Sequence, residues 1–138
     1  MDERIEALSA QGTEALDRDD WQEARRLWLQ ALALVPEPRV ESPVAGWLWA
    51  SVGDAEHSGG LWEEAATHLR QALATPGGVD NPYTWLRLGQ CEYELGRRTD
   101  AVDSLLRAYL LHGEEIFDGE PVRYRELLVQ HELVGAAR

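Results

Sequence analysis

The sequence contains no lysine: all 13 basic residues among its 138 are arginine. Against them stand 25 aspartates and glutamates, a formal net charge of −12. A chain this poor in positive charge is repelled by a phosphate backbone, which argues against nucleic acid as a partner. The same sign disfavours an anionic membrane surface. Long hydrophobic runs are also missing, and none approaches the roughly 20 apolar residues that a bilayer span needs. Cysteine is nearly absent. A lone Cys91 cannot make an internal disulfide, which fits a reducing compartment. The start, Met1-Asp2-Glu3-Arg4, lacks the basic and apolar stretches of a secretion signal, so the expected location is cytoplasmic. Cys91 lies in an apolar-periodic stretch with no histidine beside it and reads as a small buried residue rather than a nucleophile.

What is present is enough for a core: 44 % hydrophobic residues with 28 % charged, over a length suited to a single domain spanning 1–138. The organisation is repetitive. Gly12, Gly53 and Gly89 align, and twelve residues after each comes Ala24, Ala65 or Ala101. Further columns hold Trp28, Leu69 and Leu105, then Ala31, Ala72 and Ala108, then the helix stoppers Pro36, Gly77 and Gly113. Apolar residues recur at helical spacing on both sides of each polar break, as in Leu8 and Ala15 followed by Ala24, Leu27, Trp28 and Ala31. Small residues at Gly12 and Ala24 allow two helices to approach closely. Trp21 and Trp62 open the second helix of the first two copies, whereas Arg98 stands there in the third. Helices are predicted over about 3–18, 21–34, 45–58, 62–74, 82–95 and 98–112. Pro121 opens a seventh, to about 134, with Val122, Leu128 and Val129 or Leu133 on its apolar side. Proline-containing connections are expected at 37–44 and 76–82.

These columns resemble the tetratricopeptide repeat (TPR) pattern of Trp, Leu, Gly, then Ala, Phe, Ala, Pro. Trp85, Leu86, Gly89, Ala101, Leu105 and Ala108 carry it in the third copy; Trp49, Gly53, Ala65, Leu69 and Ala72 carry it in the second. The resemblance implies an all-α fold: three helix–turn–helix repeats at about 5–38, 46–79 and 82–115 in a right-handed solenoid, closed by a capping helix at about 121–134.

Catalytic signals are poor. His57, His68, His112 and His131 are scattered, and the pair His68 with Glu64 reads as solvated surface rather than a metal site. Gly59-Gly60 and Gly77-Gly78 lack a phosphate-binding pattern, and no serine sits in a nucleophile elbow. No enzyme activity, metal or cofactor is expected.

The family resemblance places the first helix of each unit along a binding groove. Its expected groove residues are Glu6, Ser9, Thr13 and Asp17, then Trp47, Ala50, Asp54, His57 and Ser58. Tyr83, Leu86, Arg87, Gln90, Tyr93 and Glu94 follow in the third unit. Helical geometry independently puts Tyr83, Arg87, Gln90 and Glu94 on one face. Large aromatics at such positions mark Trp47, Tyr83 and Tyr93 as anchors. The carboxylate clamp of chaperone-binding family members has little counterpart, since the matching places hold Ser9, Thr13, Ser51, Tyr83 and Arg87. The ending Ala108-Tyr109 through Gly113-Glu114-Glu115-Ile116-Phe117, then Gly119-Glu120-Pro121 and Tyr124, resembles small bacterial TPR proteins found beside polymorphic toxins. That resemblance implies an immunity protein docking on a cognate toxin, with a housekeeping scaffold as the alternative. Within the ending, Ile116 and Phe117 are expected to pack the cap helix, and the acidic residues to stay in water. Residues 41–80 hold six acidic residues against the single basic Arg70, so a partner with a basic surface is expected.

Overall fold

The computed structural model describes residues 2–136, and the described residues contain seven α-helices, three short 3-10 turns and no strand. The helices are α1 (Glu3–Asp17), α2 (Trp21–Leu34), α3 (Pro43–Ser58), α4 (Trp62–Leu73), α5 (Pro82–Glu94), α6 (Arg98–His112) and α7 (Val122–Gln130). Local chemistry explains their starts. Asp2, Asp20, Ser42 and Asn81 each accept a backbone N–H of the first turn they precede, and Pro43 and Pro82 occupy the first helical position.

The three turns inside the helix pairs share one geometry. Gly60 and Gly96 take left-handed backbone (φ 74° and 78°), and Asp19 does so in the first unit (φ 60°). In each, the next residue donates back five positions, as Leu61 does to Glu56 (2.9 Å), and so closes the helix end. All three sit seven residues after the repeat glycine. Aspartate is the tolerable non-glycine substitute because its short polar side chain accepts this conformation.

Successive helices pack on one another in chain order, and α3 also touches α5, the neighbour-to-neighbour pattern of a helical repeat array. The repeat glycines lie where the paired helices cross. A Cβ on Gly12 would meet the Trp28 ring at 2.3 Å, and one on Gly53 would meet Leu69 at 2.6 Å. Arg98 keeps a contact that its counterpart Trp62 makes differently. Trp62 meets His57 edge-on at 5.4 Å, and at the equivalent places the Arg98 guanidinium lies 5.2 Å from the Tyr93 ring centre.

The connection after α2 is tied down by Arg39, whose Nε donates to the carbonyls of Leu32 (3.0 Å) and Val35 (3.1 Å). One planar fork thus serves the orphan carbonyls of a helix end. The connection after α4 is held by Trp85, whose indole N–H donates to Val79 (2.9 Å).

The end of the array differs from expectation in three respects. First, α7 stops at Gln130, because Glu132 turns left-handed (φ 58°) and Leu133 donates back to Leu128. Second, its inner face is Tyr124, Leu127 and Leu128, while Val122 and Leu133 are exposed. The 3-10 turn Glu114–Phe117 causes this: Ile116 and Phe117 enter the core against Leu86, Leu105 and Ala108, and the chain re-enters helix with Tyr124 inward. Third, the acidic residues of this segment do not all stay in water. Glu114 pairs with Arg125, and Glu120 pairs with Arg87. No helix among the described residues is long and apolar enough to cross a membrane.

Candidate functional site

The face built from α1, α3 and α5 carries two adjoining hollows that share Trp47 as a wall. One, of about 270 Å3, lies between α3 and α5 and is lined by Trp47, Ala50, Ser51, Asp54, Asn81, Tyr83, Thr84 and Arg87, with Leu69 at its base. The other, of about 570 Å3, lies between α1 and α3 and is lined by Glu6, Ser9, Pro43, Val44 and Trp47. Trp47 and Tyr83 are about half exposed, 50 % and 54 %. Each is braced from behind rather than loose: Trp47 meets Trp28 edge-on at 6.0 Å, and Tyr83 leans on His112 at 5.5 Å. Large apolar surface held rigid beside a hollow loses little side-chain entropy when a ligand covers it.

Arg87 is the polar hub of this face. Its Nε donates to Asp54 (3.0 Å), and its Nη1 donates to Gln90 (2.9 Å) and Glu120 (2.8 Å). Burial opposes the guanidinium charge, but the two carboxylates outweigh that cost and hold its pKa above the ordinary value. His57 lies nearby, and its buried Nε2 has no hydrogen-bond partner among the described residues. Burial, and then the Arg87 charge, push its pKa down, so the ring stays neutral at neutral pH.

The expected groove residues therefore divide. Trp47, Asp54, Tyr83 and Arg87 meet in the α3–α5 hollow, whereas Gln90, Tyr93 and Glu94 are engaged by the C-terminal segment. Gln90 is wholly buried and donates to Glu120 at 2.7 Å. Tyr93 packs edge-on against Tyr124 at 5.3 Å. Glu94 accepts from the Tyr124 hydroxyl (3.0 Å) and from Arg123 (3.2 Å). The Tyr124 phenol, desolvated and bonded to that carboxylate, has its pKa pushed up to about 12. Leu86, expected in the groove, is instead a core residue. Helical spacing places a residue on a face but does not reveal which later segment covers that face.

A second polar feature escaped the reading of the sequence. Glu56 is completely buried, accepting from Arg25 Nε (2.7 Å) and lying 2.6 Å from His68 Nδ1. His68 is thus paired with Glu56 rather than with Glu64 on a solvated face. Glu92 repeats the arrangement one unit later, with Ser104 (2.6 Å) and Arg70 (3.3 Å) as partners. Burial raises the Glu92 pKa, opposed by those two hydrogen bonds. Both carboxylates stand three residues after a repeat glycine, twelve before their hydroxyl or imidazole partner. The first unit has Ala15 and Leu27 in those columns, and that contrast was the available signal. These networks bolt one unit to the next. Cys91 is fully buried, and its thiol pKa is pushed up to about 12, chiefly by burial, which leaves it an unreactive thiol at neutral pH.

Comparison with known proteins agrees with this architecture. The TPR domain of Arabidopsis OM64 superposes with a TM-score of 0.75 at 17 % identity, covering 94 % of this chain and 97 % of that one. The Sgt2 TPR domain from Aspergillus fumigatus gives a TM-score of 0.68 at 19 % identity, covering 95 % and 78 %. At such identities the likeness concerns the fold alone. No curated protein matches the chain at a significant level. The tetratricopeptide repeat model matches residues 9–79 and again 53–121. Those two matches take in both buried-carboxylate units and α3 and α5 in full, and the chain belongs to the tetratricopeptide repeat family.

Proposed function

We propose that this chain is a non-catalytic protein-binding module that docks a partner with a basic surface on the α1–α3–α5 face, and that its role is to neutralise a cognate bacterial toxin. Domains of this family are in general protein-interaction modules, which supports the first half of the reading. The observation that carries it is the pair Trp47 and Tyr83, half exposed and braced on the rim of one hollow. Aromatic anchors at a hollow supply most of the energy of a typical interface. The net charge of −12 supports a basic partner, because complementary charge speeds encounter and disfavours acidic competitors. The immunity role rests on the resemblance of the segment around Gly113-Glu114-Glu115-Ile116-Phe117 to proteins encoded beside toxins.

Co-expression with the product of the neighbouring gene tests the reading. The native chain rescues growth, and the double variant Trp47→Ala, Tyr83→Ala loses the rescue while keeping its helical content. Full protection by the double variant removes the groove from the mechanism. A neighbouring product that is harmless alone, recovered with the chain in a complex of several subunits, replaces the immunity role by that of a scaffold.

A further inference from the structure

Among the described residues, Arg87 is the one guanidinium lining the two hollows, and its Nε and Nη1 are already engaged. Asp54 holds Nε, and Glu120, delivered to α5 by the C-terminal segment, holds Nη1 together with Gln90. Glu6 lines the α1–α3 hollow, whose described lining holds no basic residue, so with Asp54 and Glu120 the face sets three carboxylates against one guanidinium. Asp54 is only partly covered, its side chain 43 % exposed, and Arg87 uses just its Oδ1. Beside it stand the two half-exposed aromatic rings. Aromatic faces next to a carboxylate make a favourable environment for a cation and a poor one for an anion. The neighbouring hollow is of another kind: Pro43, Val44 and Trp47 make its wall apolar.

We propose that this face takes an extended segment of the partner in which an arginine or lysine stands close to a large apolar side chain. The cation lies in the Trp47–Tyr83–Asp54 hollow and the apolar side chain in the Pro43–Val44 hollow. Glu120 sets the charge preference, because its carboxylate holds Nη1 and offsets the guanidinium charge that would otherwise attract an incoming carboxylate. Trp47 is common to both hollows, so alternate side chains of one extended strand, about 6.6 Å apart on the same side, fall on either side of it. The inference rests on the reading of this face as a protein-binding groove and adds what the groove recognises.

The test uses the full chain, 15N-labelled, and synthetic ten-residue Gly/Ser peptides carrying a leucine and an arginine separated by one to three serines. A matched set carries glutamate in place of arginine. At least one Leu/Arg peptide shifts the Trp47 indole and Thr84 amide signals, with affinity about tenfold above its Leu/Glu counterpart. Trp47→Ala abolishes the shifts. Glu120→Gln, which keeps a hydrogen-bonding side chain at that place, narrows the preference to about threefold or less while the Leu128 signal stays unmoved. Equal or tighter binding of the Leu/Glu set overturns the inference, as does the absence of shifts at Trp47 with either set. A preference unchanged by Glu120→Gln removes Glu120 from its role. None of these results touches the groove reading itself, which stands or falls on the Trp47, Tyr83 double variant in co-expression.

Discussion

Arg87 of α5 and Glu120 of the C-terminal segment form a 2.8 Å ion pair between residues 33 positions apart in the chain. The same Glu120 oxygen accepts from the buried Gln90, so one carboxylate serves two donors of the α5 wall. Four residues later Tyr124 repeats the pattern with Glu94. The segment that caps the apolar end of the array with Ile116, Phe117 and Leu128 therefore also completes the polar end of the groove. One stretch of chain thus both caps the last unit and packs against the α5 wall of the hollow, which couples the stability of that unit to the shape of the face.

Removing a buried carboxylate should expose how the units are joined. Glu56→Ala leaves Arg25 and His68 without their shared acceptor, and breaking a buried pair of this kind costs about 3 kcal/mol. Glu56→Gln keeps an acceptor and should lose clearly less. Urea unfolding monitored by circular dichroism measures both. A loss below about 1 kcal/mol for the alanine variant would mean that the network contributes only what a surface pair does.

Helix propensity and packing make opposite demands at Gly89. Alanine there gains about 1 kcal/mol of intrinsic helix preference. Its Cβ would lie 2.7 Å from Leu105 Cγ and 3.1 Å from the Leu105 backbone nitrogen, and a backbone atom cannot move aside cheaply. Overpacking costs about 1–3 kcal/mol, so the variant should melt below the native chain. A higher melting temperature for Gly89→Ala would show that α5 and α6 separate without penalty.

Acid should weaken the fold partly through His57. Its pKa in the folded chain lies below the ordinary 6.5, so the unfolded chain binds the proton more readily. The stability this group contributes is fully present above about pH 6.5 and is lost as pH falls from there through the folded value. Between pH 7 and pH 5 the native chain should lose more stability than His57→Gln, measured by urea midpoints at each pH. Parallel losses in the two proteins would assign the acid sensitivity to other groups.

Much of this could be read along the chain, because it depends on local spacing. The repeat glycines, the alanine columns, the capping residues Asp20, Ser42 and Asn81 and the starts of α2, α4 and α6 each reflect neighbours within a turn or two. Trp47 and Tyr83 were recognisable as rim residues because α3 and α5 have a clear apolar side and these two lie off it. Gln90, Tyr93 and Glu94 were expected along the groove, yet their engagement was invisible, since Glu120 and Tyr124 arrive from a segment with no repeat period to align. The Glu56 and Glu92 networks were hidden for a related reason. A glutamate reads as a surface residue until the arginine of one neighbouring helix and the histidine or serine of another are known to converge on it.

By itself, then, the sequence determined the absence of lysine, the strong negative charge, and the succession of helix pairs that a three-copy glycine and alanine pattern enforces. Tertiary structure decided which of those charges face solvent and which are consumed within the fold. Glu56, Glu92 and Glu120 count equally with Glu6 in the net charge of −12, yet each of those three is matched by an arginine within the fold. The physical reason is that charge composition is additive along a chain, whereas desolvation and pairing depend on contacts between residues 20 or more positions apart. The arginine fork, with several donors in one plane, is what allows Arg39 and Arg87 to serve several acceptors at once.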